Sequence, residues 1–118
     1  MKVLIIHRQQ SFLRGVKEKF LSGGWHVHTT DNGLDGLMTA RHQQFDLILC
    51  GFDLSVISGT ELIRSLRMMS FNQATPVFFL KDGNEKAWQI DMADKLEAHL
   101  ITEEEVNNEN TGRLAWLS

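Results

Sequence analysis

The residues most able to do chemistry follow four short apolar runs. They are His7 and Arg8 after the first run, Asp53 after the second, Lys81 after the third and Thr102 after the fourth. If Arg8 and Lys81 converge near helix N-termini, their charges favour an anion such as a phosphate or an acidic partner side chain. The competing interpretation is that both cations point to solvent or pair with nearby carboxylates. Those carboxylates are Asp53, Asp82 and Glu103.

This chain lacks the sequence motifs that several common classes of enzyme need. The turn from His7 to Ser11 holds no glycine, which disfavours a flavin or nucleotide phosphate site. The sequence has no Walker motif, no nucleophile elbow and no CxxC pair, so neither a hydrolase nor an NTPase is indicated. We therefore expect no enzyme activity and no cofactor.

The histidines and the single cysteine have ordinary interpretations. His26 and His28 lie two residues apart, so they share one strand face and could pair on a metal ion. Since the sequence places no Asp, Glu or Cys beside them, a solvated edge face is favoured and no metal site is expected. Cys50 cannot form an internal disulfide, fits a reducing cytosol and is interpreted as an inert core thiol.

Composition indicates one folded domain spanning residues 1–118. The chain has 118 residues, of which 42% are hydrophobic and 23% charged. Lys plus Arg number 12 and Asp plus Glu 15, giving a formal charge of −3, so composition makes no case for nucleic acid. No apolar run approaches the ~18 residues of a membrane helix, and the N-terminal run is too short for a signal peptide. We expect a cytoplasmic protein without membrane contact.

The elements that must position these residues can be read from the hydrophobic pattern. Unbroken apolar runs predict strands that are buried on both faces of a parallel sheet. These runs are Val3–Ile6, Leu47–Cys50 and Val77–Leu80, and the short run Leu100–Ile101 predicts one more strand. Residues 25–29 alternate instead, which predicts an edge strand.

Helical patterns lie between the strands. The first has Ser11 as its N-cap and stops at Gly23, and the second carries a stripe of Leu34, Leu37, Met38 and Arg41. The third opens on a capping box of Ser58 and Glu61, and the fourth carries Ala87, Ile90 and Ala93. The last opens on a capping box of Thr102 and Glu105 and continues through Val106, Asn110, Leu114 and Leu117.

The alternation of strands and helices predicts an α/β fold. We expect a flavodoxin-like three-layer sandwich, with a five-stranded parallel sheet of order 2-1-3-4-5 and five helices. Ligand chemistry in such a sheet lies at the carboxyl ends of the first and third strands. The candidate residues named above therefore share one edge of the sheet.

Five stretches carry a family resemblance. They are Lys2–Ile6, Gly24–Gly33, Phe45–Cys50, Ser58–Arg67 and Thr75–Leu80. In this order and spacing they resemble the receiver domain of bacterial response regulators, over residues 2 to 117. The Asn32-Gly33 turn and the Ser58-Gly59 helix start are especially similar to that family.

The resemblance implies a phosphorylation site whose residues this chain lacks. In the family, an acidic pair after strand 1 holds a divalent metal and an aspartate ending strand 3 accepts a phosphoryl group. A Ser or Thr ending strand 4 and a Lys ending strand 5 contact its oxygens. The corresponding positions here are His7 and Arg8, Gly51, Lys81 and Thr102. Glu103 stands where a Pro usually follows, and His99 takes the aromatic position of strand 5.

These departures predict a degenerate receiver. Arg8 and Lys81 cannot ligate Mg²⁺ and Gly51 offers no nucleophile, so we expect neither Mg²⁺ binding nor aspartyl phosphorylation at position 51. The resulting hypothesis is a phosphorylation-independent protein-interaction module in two-component signalling. Two alternatives stay open, namely a displaced phosphoacceptor at Asp53 and an anion-sensing domain that uses Arg8 and Lys81.

The resemblance also implies an interaction face on helix 4, strand 5 and helix 5, which the family uses for partners and dimers. Trp88 and Met92 lie four apart on helix 4, His99 lies in strand 5 and Trp116 lies near the C-terminus. Exposed Trp and Met side chains are good interface anchors. The alternatives for this face are a signalling partner, a homodimer, or a Trp88 that simply packs at a helix edge.

Overall fold

The parallel strands form one central sheet in the order β2-β1-β3-β4-β5. The computed structural model describes residues 1–68 and 70–108. Its five strands are β1 (Lys2–Ile6), β2 (His26–Thr30), β3 (Leu47–Gly51), β4 (Val77–Lys81) and β5 (His99–Thr102). The predicted flavodoxin-like strand order is confirmed. Because every pairing is parallel, the strand ends after β1, β3 and β4 meet at one edge.

Helices cover both faces of the sheet. They are α1 (Gln10–Ser22), α2 (Gly33–His42), α3 (Gly59–Met68), α4 (Ala87–Lys95) and α5 (Glu103–Asn108). Side chains of β1 alternate between two cores, so Val3 and Ile5 pack with α1 and α5 whereas Leu4 and Ile6 pack with α2, α3 and α4. The remainder of the predicted last helix, with Asn110, Leu114, Trp116 and Leu117, lies outside the described residues.

The helix α1 begins earlier than expected. Its N-cap is Gln9, not Ser11, and no side chain caps it. The Gln9 amide donates a hydrogen bond of 3.1 Å to the Nδ1 atom of His7, and the Gln9 carbonyl accepts from Leu13. This local bond turns the chain before Ser11 is reached, so the prediction for Ser11 is wrong.

The buried face of α2 also differs from the predicted stripe. Leu37 is buried, but Leu34, Met38 and Arg41 are exposed. The helix approaches the sheet through Gly33, Gly36 and Ala40 instead. A Cβ atom at Gly36 would lie 2.8 Å from the Cδ1 atom of Ile6, so a larger residue there would push the helix outward. The close approach through small residues therefore rotates the Leu34 and Met38 side chains to the surface.

Hydrogen bonds at the helix starts fasten the loops at the functional edge. The Ser58 hydroxyl accepts a bond of 3.2 Å from the Glu61 amide, as predicted for its N-cap role. The Gly59 amide donates to the Phe52 carbonyl at 2.9 Å, and a Cβ atom at Gly59 would overlap the Gly51 carbonyl oxygen. Only glycine therefore allows α3 to start so close to the end of β3.

Arg67 ties three elements together at the opposite edge. Its guanidinium donates hydrogen bonds to the carbonyl oxygens of Leu96, Gln73, Thr75 and Glu97. Leu96 is the C-cap of α4 and Glu97 follows it, at a helix end where carbonyl groups have no partner within the helix. Arg67 of α3 therefore caps α4 and holds the segment that leads into β4.

The fourth helix exposes part of its predicted stripe. Ala93 is buried, but Ala87 is exposed in the first turn.

No helix in residues 1–68 and 70–108 is long and apolar enough to cross a membrane.

Candidate functional site

An open cleft of about 450 Å³ lies at the carboxyl ends of β1, β3 and β4. It is bounded by the loops that follow these strands and by the first turn of α4. His7, Gly51 and Trp88 line the cleft, and its charged side chains are Arg8, Asp53, Asp82, Glu85, Lys86 and Glu103. The cleft thus occupies the edge where the sequence placed the candidate chemistry.

His7 forms the floor of the cleft as a buried, neutral ring. Only 7% of it is exposed, and it packs on Phe12 with ring centroids 4.4 Å apart. Its Nδ1 atom accepts the Gln9 amide bond, so Nε2 carries the ring hydrogen and faces a Glu103 oxygen at 3.7 Å. Burial lowers the pKa of His7 from its ordinary 6.5, against the opposing effect of Glu103.

Gly51 ends β3 beside the His7 ring. A Cβ atom built on it would lie 3.4 Å from the Cδ2 atom of His7 and 3.5 Å from a methyl group of Leu54, which are ordinary contacts. The neighbouring atoms therefore leave room for a Cβ atom at the position where the family resemblance expects an acceptor aspartate.

Arg8 and Asp53 form an ion pair across the cleft. The Arg8 Nη1 atom lies 2.7 Å from Asp53 Oδ2, with 59% and 78% of the two side chains exposed. This contact joins the loop after β1 to the loop after β3. Because both groups are solvated, the pair contributes only about 0–1 kcal/mol to folding. The pair nevertheless fills the mouth of the cleft, because each side chain is already engaged by the opposite charge of the other.

The loop after β4 binds a carboxylate of its own. Glu85 accepts hydrogen bonds from the backbone amides of Asp82, Gly83 and Asn84, at 3.0 to 3.3 Å. Gly83 has a φ of +95°, a left-handed conformation that lets successive amides point to one centre. The amides that could hold an external anion are therefore already occupied.

Lys81 and Thr102 lie at the strand ends but outside the cleft. They are register partners between β4 and β5. Thr102 and Glu105 form the predicted capping box, with bonds of 2.9 and 3.0 Å, and these bonds lower the pKa of Glu105 together with the Lys81 charge. Arg8 and Lys81 are thus not brought together at the cleft, and the pairing of Arg8 with Asp53 is the arrangement observed.

The cleft does not fit a divalent metal ion. Arg8 stands at a position of the expected acidic pair, and its charge repels a cation. Among the residues that the structure describes, no three His, Cys, Asp or Glu side chains lie close enough to hold a metal ion. His26 and His28 are exposed on the edge strand β2 and belong to no such group.

The residues proposed for an interaction face have different environments. Trp88 is 52% exposed at the cleft rim, whereas Met92 is half-buried against the core. His99 is exposed at the start of β5, at the edge opposite His7, and its ring contacts that of Phe78 at a tilt of 32°, with centroids 4.9 Å apart. Leu100 beside it is partly exposed. Trp116 lies outside the described residues.

Two features of the site were not found in the sequence. One is the carboxylate of Glu85 in the loop after β4, for which the Asp82-Gly83-Asn84 turn was the available signal. The other is the contact of Glu103 with His7. Cys50 is buried as expected, and burial raises the pKa of its thiol.

Comparison with known proteins gives the same family for most of the chain. Residues 3–102 match the model of the response regulator receiver domain. The cell cycle transcriptional regulator CtrA of Caulobacter vibrioides is 32% identical over 85 residues, which cover 72% of this chain and 36% of that protein. The cell cycle response regulator CtrA of Brucella ovis is 30% identical over 80 residues, which cover 68% and 34%. The chain spans about a third of the length of these curated relatives.

Solved structures show the same fold. The chemotaxis response regulator CheY4 of Vibrio cholerae superimposes with a TM-score of 0.80 at 22% identity, covering 96% of this chain and 97% of that one. A CheY-like receiver domain protein from Methanospirillum hungatei gives 0.82 at 17% identity, covering 96% and 92%. The family match over residues 3–102, with this strand order and cleft, leads to one conclusion. The chain belongs to the response regulator receiver domain family.

Proposed function

We propose that this receiver domain is a degenerate member that acts as a phosphorylation-independent protein-interaction module. Receiver domains are generally non-enzymatic signalling modules of two-component systems that bind protein partners. The observation that carries the proposal is Gly51 at the end of β3, where a side-chain nucleophile would be required. Without a carboxylate at this position, no aspartyl phosphate can form there.

Two neighbouring contacts support the same function. Arg8 stands where the family resemblance expects a metal-binding carboxylate, and its guanidinium is engaged by Asp53 at 2.7 Å. The Glu85 carboxylate occupies the amides of the loop after β4. The guanidinium of Arg8 and the amides of the loop after β4 therefore already have partners within the protein. In this proposal, partner binding does not depend on a phosphoryl group in the cleft.

The first test is intact-mass spectrometry after incubation with acetyl phosphate and Mg²⁺. We expect no adduct of about 80 Da on this chain, while a receiver that carries the acidic pair and acceptor aspartate gains one. An adduct that disappears in Asp53→Asn would overturn the proposal in favour of a displaced acceptor.

A gain-of-side-chain variant separates the missing nucleophile from the missing metal site. Gly51→Asp is expected to fold, because its Cβ atom meets only ordinary contacts. It is also expected to stay unmodified, because Arg8 still prevents metal binding. Efficient phosphorylation of Gly51→Asp alone would show that the rest of the cleft is competent and would contradict the role assigned to Arg8.

The proposed partner face comprises α4, β5 and α5, and Trp88 and Leu100 are exposed apolar residues on it. A photo-crosslinking residue at position 88, introduced in the source organism, is expected to form a discrete adduct with a signalling protein. The matched control is position 21, an equally exposed apolar residue on α1. Equal adduct yield at both positions, or an adduct that requires phosphorylating conditions, would contradict the proposal. A 1:1 adduct with a second copy would identify the homodimer alternative.

The anion-sensing alternative has its own readout. Trp88 lines the cleft, so a bound phosphate or nucleotide should alter tryptophan fluorescence or the amide shifts of residues 82–84. We expect no saturable change at millimolar ligand, because Glu85 occupies the amides and Arg8 is paired. A saturable change that is lost in Arg8→Gln would favour the sensor.

A further inference from the structure

The helix α2 presents an apolar stripe to solvent. Leu34 and Met38 lie four residues apart and are 44% and 45% exposed. The opposite face of the same helix is fully used, because Gly36, Leu37 and Ala40 pack on the sheet. The helix α2 therefore has two apolar faces. One packs on the sheet, and the other is left in contact with solvent.

The charges that flank this stripe are self-complementary. Asp35 lies three residues before Met38 and Arg41 three residues after it, and both side chains are exposed. In residues 1–68 and 70–108, neither the Asp35 carboxylate nor the Arg41 guanidinium makes a hydrogen bond or ion pair. Their separation of six residues also exceeds the spacing at which charges pair along one helix.

We propose that two copies of this chain associate through α2, with the helices antiparallel and Met38 on the two-fold axis. In this arrangement Asp35 of one copy lies level with Arg41 of the other, and the reverse contact is made by symmetry. The stem of Arg41 covers Leu34 of the second copy, while its guanidinium stays near solvent. The negative first turn and the basic last turn of each helix are then both matched.

Apolar residues at the two ends of α2 extend the same contact. The loop that carries exposed Val56 is bonded to the start of α2, through the Gly33 amide and the Ser55 carbonyl at 3.0 Å. Exposed Phe71 lies in a 3-10 turn (Ser70–Asn72) that bonds to the end of α2, where the side-chain Nδ2 of Asn72 donates to the Ala40 carbonyl. An antiparallel pair brings the Val56 end of one copy towards the Phe71 end of the other.

This surface is separate from the proposed partner face. The helix α2 packs over β1 and β2, whereas α4 lies on the same face of the sheet but next to the opposite edge strand, β5. A dimer through α2 therefore leaves Trp88 and Leu100 free. Since α2 is only about 15 Å long, the interface is small and its formation depends on protein concentration.

The test is sedimentation velocity of the full chain over a wide concentration range. We expect a concentration-dependent dimer whose dissociation constant rises at least ~10-fold in Met38→Glu. Asp35→Arg and Arg41→Asp should each weaken self-association, because the facing charges then repel. An equimolar mixture of these two variants should form a heterodimer, since each supplies the charge that the other requires. Trp88→Ala is the matched control and should leave the dimer intact.

Covalent trapping gives an independent readout of the symmetry. A cysteine introduced by Met38→Cys lies on the two-fold axis and should form an intermolecular disulfide under mild oxidation. The buried native Cys50 provides the background, and an exposed Glu104→Cys variant controls for random collision. A monomer at all concentrations would overturn the proposal. So would a dimer that responds to Trp88→Ala but not to Met38→Glu, and that result would move self-association to α4.

Discussion

His7 gives the cleft a buried aromatic floor. It lies at a position where the family resemblance expects a carboxylate, and its ring contacts Phe12, the Gln9 amide and Glu103. Such a residue stabilises the fold only while it stays neutral. The carboxylates that face it are Glu103 and Asp82, and their attraction does not outweigh the effect of burial.

This neutral state predicts a pH dependence of stability. The pKa of His7 is below 6.5 in the folded protein, so between the folded pKa and 6.5 the unfolded chain binds the extra proton. The contribution of His7 is therefore complete above about pH 6.5 and is lost as the pH falls through the folded pKa. Urea unfolding between about pH 7.5 and 5 should show this fall in the free energy of unfolding.

The matched variant for that experiment is His7→Gln. His7→Gln should be less stable at neutral pH, and its free energy of unfolding should vary less with pH. The variant removes the one buried histidine of the described residues and keeps the four exposed ones. The lowered pKa of Asp82 acts in a more acidic range, below about pH 4, and does not interfere. An unchanged profile in His7→Gln would contradict the assignment.

At the scale of elements, the sheet order and the strands were predictable because unbroken apolar runs allow few alternatives. The α2 face was not predictable, since Leu34 and Met38 have helical spacing and only the close approach at Gly36 turns them outward. The end of α4 could also not be predicted from the sequence. Glu97 adopts a φ of +57° there, a conformation more usual for glycine, and the Arg67 bonds compensate from another helix.

The Arg67 contacts predict a strong and specific stability effect. Arg67→Ala should lower the free energy of unfolding by about 2 kcal/mol, because several carbonyls lose their donor at once. Arg67→Lys should recover less than half of this loss, since a single ammonium cannot reach four separated carbonyls. Chemical denaturation measures both variants.

The control lies one turn earlier on α3. Arg64 is exposed, and Arg64→Ala should change stability by less than about 0.5 kcal/mol. If Arg67→Ala and Arg64→Ala were equally mild, the four bonds would not hold α4 in solution.

At the scale of the molecule, the sequence predicted which edge carries the site but not how its charges are arranged. A shared pocket for Arg8 and Lys81 was one of two open interpretations, and of these two cations only Arg8 lines the cleft, together with four carboxylates. Strand ends can be placed from apolar runs, whereas the direction of a long side chain depends on loop geometry. The same limit hid Glu85, whose binding to three amides follows from the left-handed turn at Gly83.

We expect magnesium to leave the thermal stability of the domain unchanged. A ligand that binds the folded state raises its stability by mass action, so a metal-binding receiver gains thermal stability with Mg²⁺. Here about 10 mM MgCl₂ should shift the melting temperature by less than about 1 °C relative to NaCl of equal ionic strength. A shift of several degrees that vanishes in Asp53→Asn would show metal binding and contradict the fit of the cleft.

The space beside Gly51 has a consequence for how variants of this domain can be interpreted. Because a Cβ atom there meets no contact under 3.4 Å, the neighbouring atoms place no demand for glycine at this position. A methyl group at position 51 is therefore compatible with the fold. Any change in partner binding caused by Gly51→Ala would report on the cleft surface and not on folding.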